Sequence, residues 1–183
     1  EIGNSSSSSS TRGQIRARIA IVQRPLSPDG LSYAIRRHRE EPWTLPLFVA
    51  NKMLNPLAAG VLSFLIDGSR TLLVAGTRSS GKTSLLGSLM LEVIPKYRII
   101  VIEDTLELPV ESLRKLKYDI LRMKVRSALL KSTEVSADDG IRTSLRLGDS
   151  SLIVVEVRSV EAQAIYEAMR VGALANVVAG TIH

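Results

Sequence analysis

A chain of 183 residues, 45% of them hydrophobic, has the length and apolar content for one α/β domain with part of another attached. Lys and Arg exceed Asp and Glu by 24 to 18, and these charges are spread along the chain. The net charge of +6 therefore describes a solvated surface before a nucleic-acid groove, and four Tyr, two Phe and one Trp leave little to stack on single strands. The absence of cysteine excludes disulfides and thiolate metal sites, and no apolar run approaches the roughly 20 residues that span a bilayer.

The serine run of residues 4–10, "NSSSSSS", cannot bury a core, and residues 1–11 read as a flexible segment. From Gly13 onward Ile15, Ala17, Ile19 and Ile21 alternate with other residues, Pro25, Pro28, Asp29 and Gly30 supply a turn, and Leu31, Tyr33 and Ile35 alternate again. That pattern predicts a β-hairpin, so residues 12–39 are expected to close a β-containing N-terminal domain. Residues 40–55 follow as a proline-punctuated linker with a short helix, suited to a hinge, ahead of an α/β domain over 56–183.

In that domain Asn55-Pro56 has the form of a helix start and Gly68 of a stop, which makes "PLAAGVLSFLI" a buried helix. The strand "TLLVA" leads into a glycine-rich loop. A helix begins at Thr83, with Leu85, Leu86, Leu89, Met90 and Val93 on one face and Pro95 ending it. "RIIVIE" and "SLIVVEV" read as buried strands. The helix "VEAQAIYEAMRV" aligns Val160, Ala164, Ala168 and Val171, and "NVVAGT" is a last strand. Alternating strands and helices predict a doubly wound, mostly parallel α/β sheet. The one local concentration of positive charge, residues 114–131, is either a solvated face or a docking face for an acidic partner or anionic membrane. The chain starts at Glu1 and stops just after a strand pattern, which reads as part of a longer protein.

The loop "GTRSSGKT" fits G-x-x-x-x-G-K-[ST] at Gly76, Gly81, Lys82 and Thr83. Glycines let the backbone N–H groups close around phosphate oxygens, and the helix that follows points its positive end at them. Gly76, Thr77, Arg78, Ser79, Ser80, Gly81, Lys82, Thr83 and Ser84 therefore form a candidate nucleotide triphosphate cradle, with Lys82 on the β- and γ-phosphates and Thr83 on Mg²⁺. The guanine-reading N-K-x-D is missing after the loop, which argues against a GTPase, and the transporter signature LSGGQ is missing too. Glu103 and Asp104 end one buried strand, and Glu156, followed by Arg158, ends another. Carboxylates at strand ends are where open α/β sheets handle metal and water.

Taken in order, "GTRSSGKT", the acidic box "VIEDTLEL", the segment "SLIVVEVR" and the terminal "AGTIH" resemble the secretion and type IV pilus traffic ATPases. These are relatives of general secretion pathway protein E, and the likeness is strongest to archaeal members and spans residues 12–183. The resemblance implies a P-loop, RecA-like ATPase acting on Mg²⁺-ATP in a homo-oligomeric ring, a hexamer by the family pattern. It also implies a cytoplasmic protein, peripheral at the inner face of the membrane through a membrane platform partner, with no nucleic acid involved. In that family pattern Lys82 and Thr83 hold phosphate and Mg²⁺, Glu103 positions or deprotonates the attacking water, Asp104 supports the metal, Glu156 holds a metal-bound water and His183 senses the γ-phosphate. Arg36 and Arg37, then Arg16 and Arg18, match arginines supplied to a neighbouring subunit, and Arg142 and Arg146 match a pair preceding the "SLIVVEVR" strand. Val155 stands where the family has glycine, and Asp149-Ser150 where it has Pro-Asp. The valine keeps open a nucleotide-binding ring scaffold with negligible hydrolysis. A DNA-translocating motor is the remaining alternative.

Overall fold

A computed structural model of the chain describes residues 17–37, 41–77, 79–125, 136–157, 161–171 and 176–182. Two compact units make up the chain, Glu1–Glu40 and Glu41–His183. In the first, β1 (Ala17–Val22) pairs antiparallel with β2 (Ser32–Arg37), setting Ile19 opposite Ile35 and Ile21 opposite Tyr33. This is the hairpin expected from the alternation, with those four side chains on one face.

In the second unit the elements run α1 (Leu45–Ala50), α2 (Pro56–Asp67), β3 (Leu72–Ala75), α3 (Lys82–Met90), β4 (Arg98–Glu103), α4 (Val110–Lys115), β5 (Ile120–Lys124), α5 (Ala137–Ser144), β6 (Ser150–Val157), α6 (Glu161–Val171) and β7 (Val178–Ile182). The five strands lie in the order β3-β7-β6-β4-β5, and every neighbouring pair is parallel. The sheet is the doubly wound one that the sequence predicts. Successive residues of a strand point to opposite faces, so the buried strands feed two separate apolar layers. Ile99, Val101 and Ile153 meet Leu86, Leu89 and Met90 of α3 and Leu113 of α4 on one face. On the other, Ile100, Ile102, Leu152 and Val154 meet Ile141 of α5 and Ala164, Ile165 and Ala168 of α6.

Asn55 caps α2 through its Oδ1, which accepts the Leu57 N–H at 2.8 Å, and Gly68 ends the helix as its composition suggests. Three expectations are corrected. First, α2 is not a buried helix: it is apolar around most of its circumference but lies on the core by one side, leaving Leu57 and Phe64 exposed by 77% and 76%. Second, α3 ends at Met90 rather than running to Pro95, because the N–H groups of Leu91, Glu92 and Val93 turn back to carbonyls only three residues earlier. Third, the basic run at 114–131 is no uniform face. It takes in the end of α4 and all of β5, and the guanidinium of Arg122 points inward. Its residues 126–131 lie outside the described residues. Leu45 of α1, within the expected linker, belongs to the core of the second unit.

Candidate functional site

All five strands are parallel, so their C-terminal ends share one edge of the sheet, where ligands bind in open α/β folds. The glycine-rich loop leaves β3 at this edge. Its curl rests on two left-handed residues, Ser79 at φ 63° and Gly81 at φ 89°. The second is a conformation that any residue with a Cβ holds only under strain. A Cβ on Gly76 would stand 2.7 Å from Ser80 Oγ, so the loop closes tightly over this position and a side chain there would have to turn the serine hydroxyl away. Gly81 then opens α3 with no side-chain cap and no acidic residue in the first turn. The positive end of the helix therefore meets no capping side chain and no first-turn carboxylate, as suits a phosphate site. Lys82 Nζ folds onto the loop, donating to the carbonyls of Gly76 and Thr77 at 2.7 and 2.8 Å. Thr83 is half-buried beside it, while Thr77, Ser79, Ser80 and Ser84 are exposed and Arg78 lies outside the described residues.

Glu156 reaches the same edge by a backbone irregularity. In the β6–β7 ladder Val154 pairs with Gly180 but Val157 pairs with Ile182, so β6 carries one extra residue. An extra residue inverts the alternation beyond it. Val155 accordingly faces the α3 layer, whereas Val157, two residues on, joins the α5–α6 layer. Glu156 sits in this bulge at φ 62°, half-exposed, and its N–H donates to Thr181 Oγ1 at 2.8 Å. Thr181, missed in the sequence reading, thus pins the bulge from the strand that lies between Glu156 and the loop. Two inter-strand steps separate β3 from β6, about 10 Å. Val155, which stands where the family pattern has glycine, is a core residue here, 7% exposed.

Glu103 is placed differently. It ends β4 on the α3 face, wholly buried, and its Oε1 accepts the N–H groups of Glu107 at 3.0 Å and Leu108 at 2.8 Å. Oε2 lies 3.3 Å from Nε of Arg122. Burial raises the carboxyl above its ordinary value, against the downward pull of those two N–H groups and the guanidinium. Asp104 and Glu107 lie beyond it in the 104–108 loop, both partly exposed. Arg122 escaped the sequence reading because it sits in a run of basic residues. The available signal was its period of two with Ile120, which turns it toward the sheet's covered face.

Arg142 and Arg146 are not gathered at this edge. Arg142 pairs with Glu167 of α6 at 3.3 Å, and the exposed Arg146 lies just before β6 begins. Eight residues of parallel strand, on the order of 25 Å, therefore run between Arg146 and the far end of β6. Arg37 is exposed at the end of β2 in the first unit, and only the backbone of Arg18 and Arg36 is described. Arg16, Arg158 and His183 lie outside the described residues. Among the described residues no three His, Asp or Glu side chains form a metal cluster. The donors present, a threonine hydroxyl and carboxylates, suit Mg²⁺, which takes few protein ligands and completes its shell with phosphate and water.

Residues 9–183 match the family described as type II/IV secretion system protein. The chain belongs to that family. Among relatives of this secretion family, a putative conjugal transfer protein of Mycobacterium tuberculosis is 28% identical over 93% of this chain and 47% of its own length. The X-ray structure of the Legionella pneumophila ATPase DotB superposes with a TM-score of 0.65 at 19% identity, covering 92% of this chain and 43% of DotB. At that identity the likeness concerns the fold. The VirB11 ATPase of the Brucella suis type IV secretion system, solved in complex with sulphate, gives a TM-score of 0.54 at 25% identity over 90% of this chain and 53% of its own. This secretion-family chain thus spans about half the length of these three proteins.

Proposed function

We propose that this secretion-family protein binds Mg²⁺-ATP at the Gly76–Ser84 loop and hydrolyses it as one subunit of a homo-oligomeric ring, by family pattern a hexamer. The ring would drive a type II secretion or type IV pilus-like machine through a membrane platform protein, at the cytoplasmic face of the membrane. The observation that carries this reading is the meeting, at one sheet edge, of an uncapped helix start bearing Lys82 and Thr83 with a carboxylate presented by a pinned bulge.

Water attacks the γ-phosphorus, the bond to the β,γ-bridging oxygen breaks, and ADP and phosphate leave. Bound Mg²⁺ supplies positive charge to the phosphate oxygens. The α3 N–H groups and Lys82 Nζ hold the phosphates, the lysine exchanging two loop carbonyls for them. Thr83, Asp104 and Glu156 provide the oxygen donors for the cation and its waters. Arg37, with Arg36, would come from a neighbouring subunit. An arginine supplied in trans is worth on the order of 10³ to 10⁵ in rate, so an isolated subunit turns over slowly and the ring is the working unit.

Titration of the full-length protein with a fluorescent ATP analogue in Mg²⁺ tests the site. Lys82→Ala should weaken binding by at least about tenfold while leaving the thermal transition in place. Equal affinity in the two proteins contradicts the assignment of the loop.

A further inference from the structure

The buried pair Glu103–Arg122 takes hold of a single residue, Leu108, by both its N–H and its carbonyl. Glu103 Oε1 accepts its N–H at 2.8 Å, and an Arg122 terminal nitrogen donates to its carbonyl at 2.8 Å. Its side chain lies in the apolar layer against the P-loop helix: a Cβ built on Gly87 of α3 would stand 3.4 Å from Leu108 Cδ2 and 3.7 Å from Pro109 Cδ. The loop therefore packs directly on α3 at Gly87, with room there for no more than a methyl group in ordinary contact. Glu103 also holds the N–H of Glu107 at 3.0 Å, and Arg122 extends to Glu111 of α4 at 3.8 Å. One carboxylate and one guanidinium thus hold the 107–108 end of the segment that carries Asp104 and Glu107 against β4 and β5, and the Leu108 side chain packs that end on the helix that begins with Lys82 and Thr83.

We infer that Glu103 and Arg122 form a buried clamp that positions the 104–108 loop on the P-loop helix, and that Glu103 acts through this loop rather than on the substrate. A carboxylate that touches water or phosphate has to leave oxygen lone pairs directed to the site. Oε1 of Glu103 is taken by two backbone N–H groups, and Oε2, with no hydrogen bond of its own, faces Arg122 Nε as an ion-pair contact at 3.3 Å, with the side chain wholly inside. Breaking such a pair from one side leaves a buried charge uncompensated, whereas replacing both members with neutral hydrogen-bonding partners relieves it. Nε of arginine and the amide of glutamine branch from the same carbon, so a pair of glutamines can bridge the same gap while the amide oxygen introduced by Glu103→Gln still accepts the two N–H groups.

The kinetic part of this inference rests on the ATPase reading; the structural part does not. In the full-length protein, Glu103→Gln and Arg122→Gln should each lower kcat by roughly tenfold or more with KM for Mg²⁺-ATP within about threefold, and the double variant should be about threefold or more faster than Glu103→Gln yet short of wild type, because Arg122→Gln also removes the bond to the Leu108 carbonyl. A group acting on substrate cannot be restored by changing Arg122, so a double variant no faster than Glu103→Gln overturns the inference. Hydrogen exchange without nucleotide is the second readout. Glu103→Ala should speed exchange across residues 104–109 by about tenfold or more while β6 stays protected, and unchanged exchange there overturns the clamp. A wild-type protein that neither binds nor hydrolyses ATP removes the ATPase reading and leaves exchange to decide the clamp.

Discussion

Among the described non-glycine residues with positive φ, Glu156 is the one that lies within a strand: a side chain with a Cβ held at φ 62° one residue before the end of β6. The left-handed region costs an L-residue about 1–2 kcal/mol relative to glycine, and the surrounding ladder with the Thr181 contact has to outweigh it. Strain of this kind persists where a side chain must be aimed. Glu156→Gly and Glu156→Ala should therefore both lose the carboxylate's function, but the glycine variant should be the more stable of the two by about 1 kcal/mol. Urea unfolding measures it, and an alanine variant as stable as the glycine one contradicts the strained geometry. The sequence showed Glu156 as an acidic residue at a strand end. It could not show the bulge, because an inserted residue leaves the hydrophobic run "SLIVVEV" unbroken and shows only in what the strand pairs with. Glu103 was legible in the same way as an acidic strand end, yet its burial depends on Arg122, whose pairing was hidden in a stretch of basic residues.

At the scale of elements, the signals that worked were local ones. Asn55 and Pro56 begin α2, Gly68 ends it, and the alternation of Ile19, Ile21, Tyr33 and Ile35 gives the hairpin. Asn55→Ala should cost about 1 kcal/mol by orphaning the Leu57 N–H. A denaturant midpoint that does not move would show that water serves that N–H equally well. Elements whose patterning is set by non-local partners were missed. Leu121 and Met123 alternate with Ile120, Arg122 and Lys124 along β5, but the inward-facing Arg122 disguises the strand as surface until β4 and its glutamate are placed beside it. α5 is short, polar and capped by Ser136 over Asp139, and it becomes a core element only through Ile141. The exposed face of α2 has the same origin, since apolar composition fixes that a helix can be buried but not how much of it is.

For the whole molecule, the parallel sheet gathers at one edge what the sequence spaces over more than 70 residues: the loop after β3, the acidic segment after β4 and the bulge of β6. Order and spacing of the motifs made this edge legible, because strand order matters little to which edge receives the strand ends once all strands run parallel. The position of Arg142 and Arg146 away from that edge was not legible, since it follows from the return path of α5. Among the described residues no helix is long and apolar enough to cross a membrane. The most direct test of the account is phosphate release from Mg²⁺-ATP by the full-length protein, at concentrations that favour rings, beside Lys82→Ala and Glu156→Gln. The account predicts turnover that both substitutions abolish. ATP binding with no phosphate release by the wild-type ring, even with the membrane platform present, would contradict it and leave a nucleotide-binding scaffold in its place.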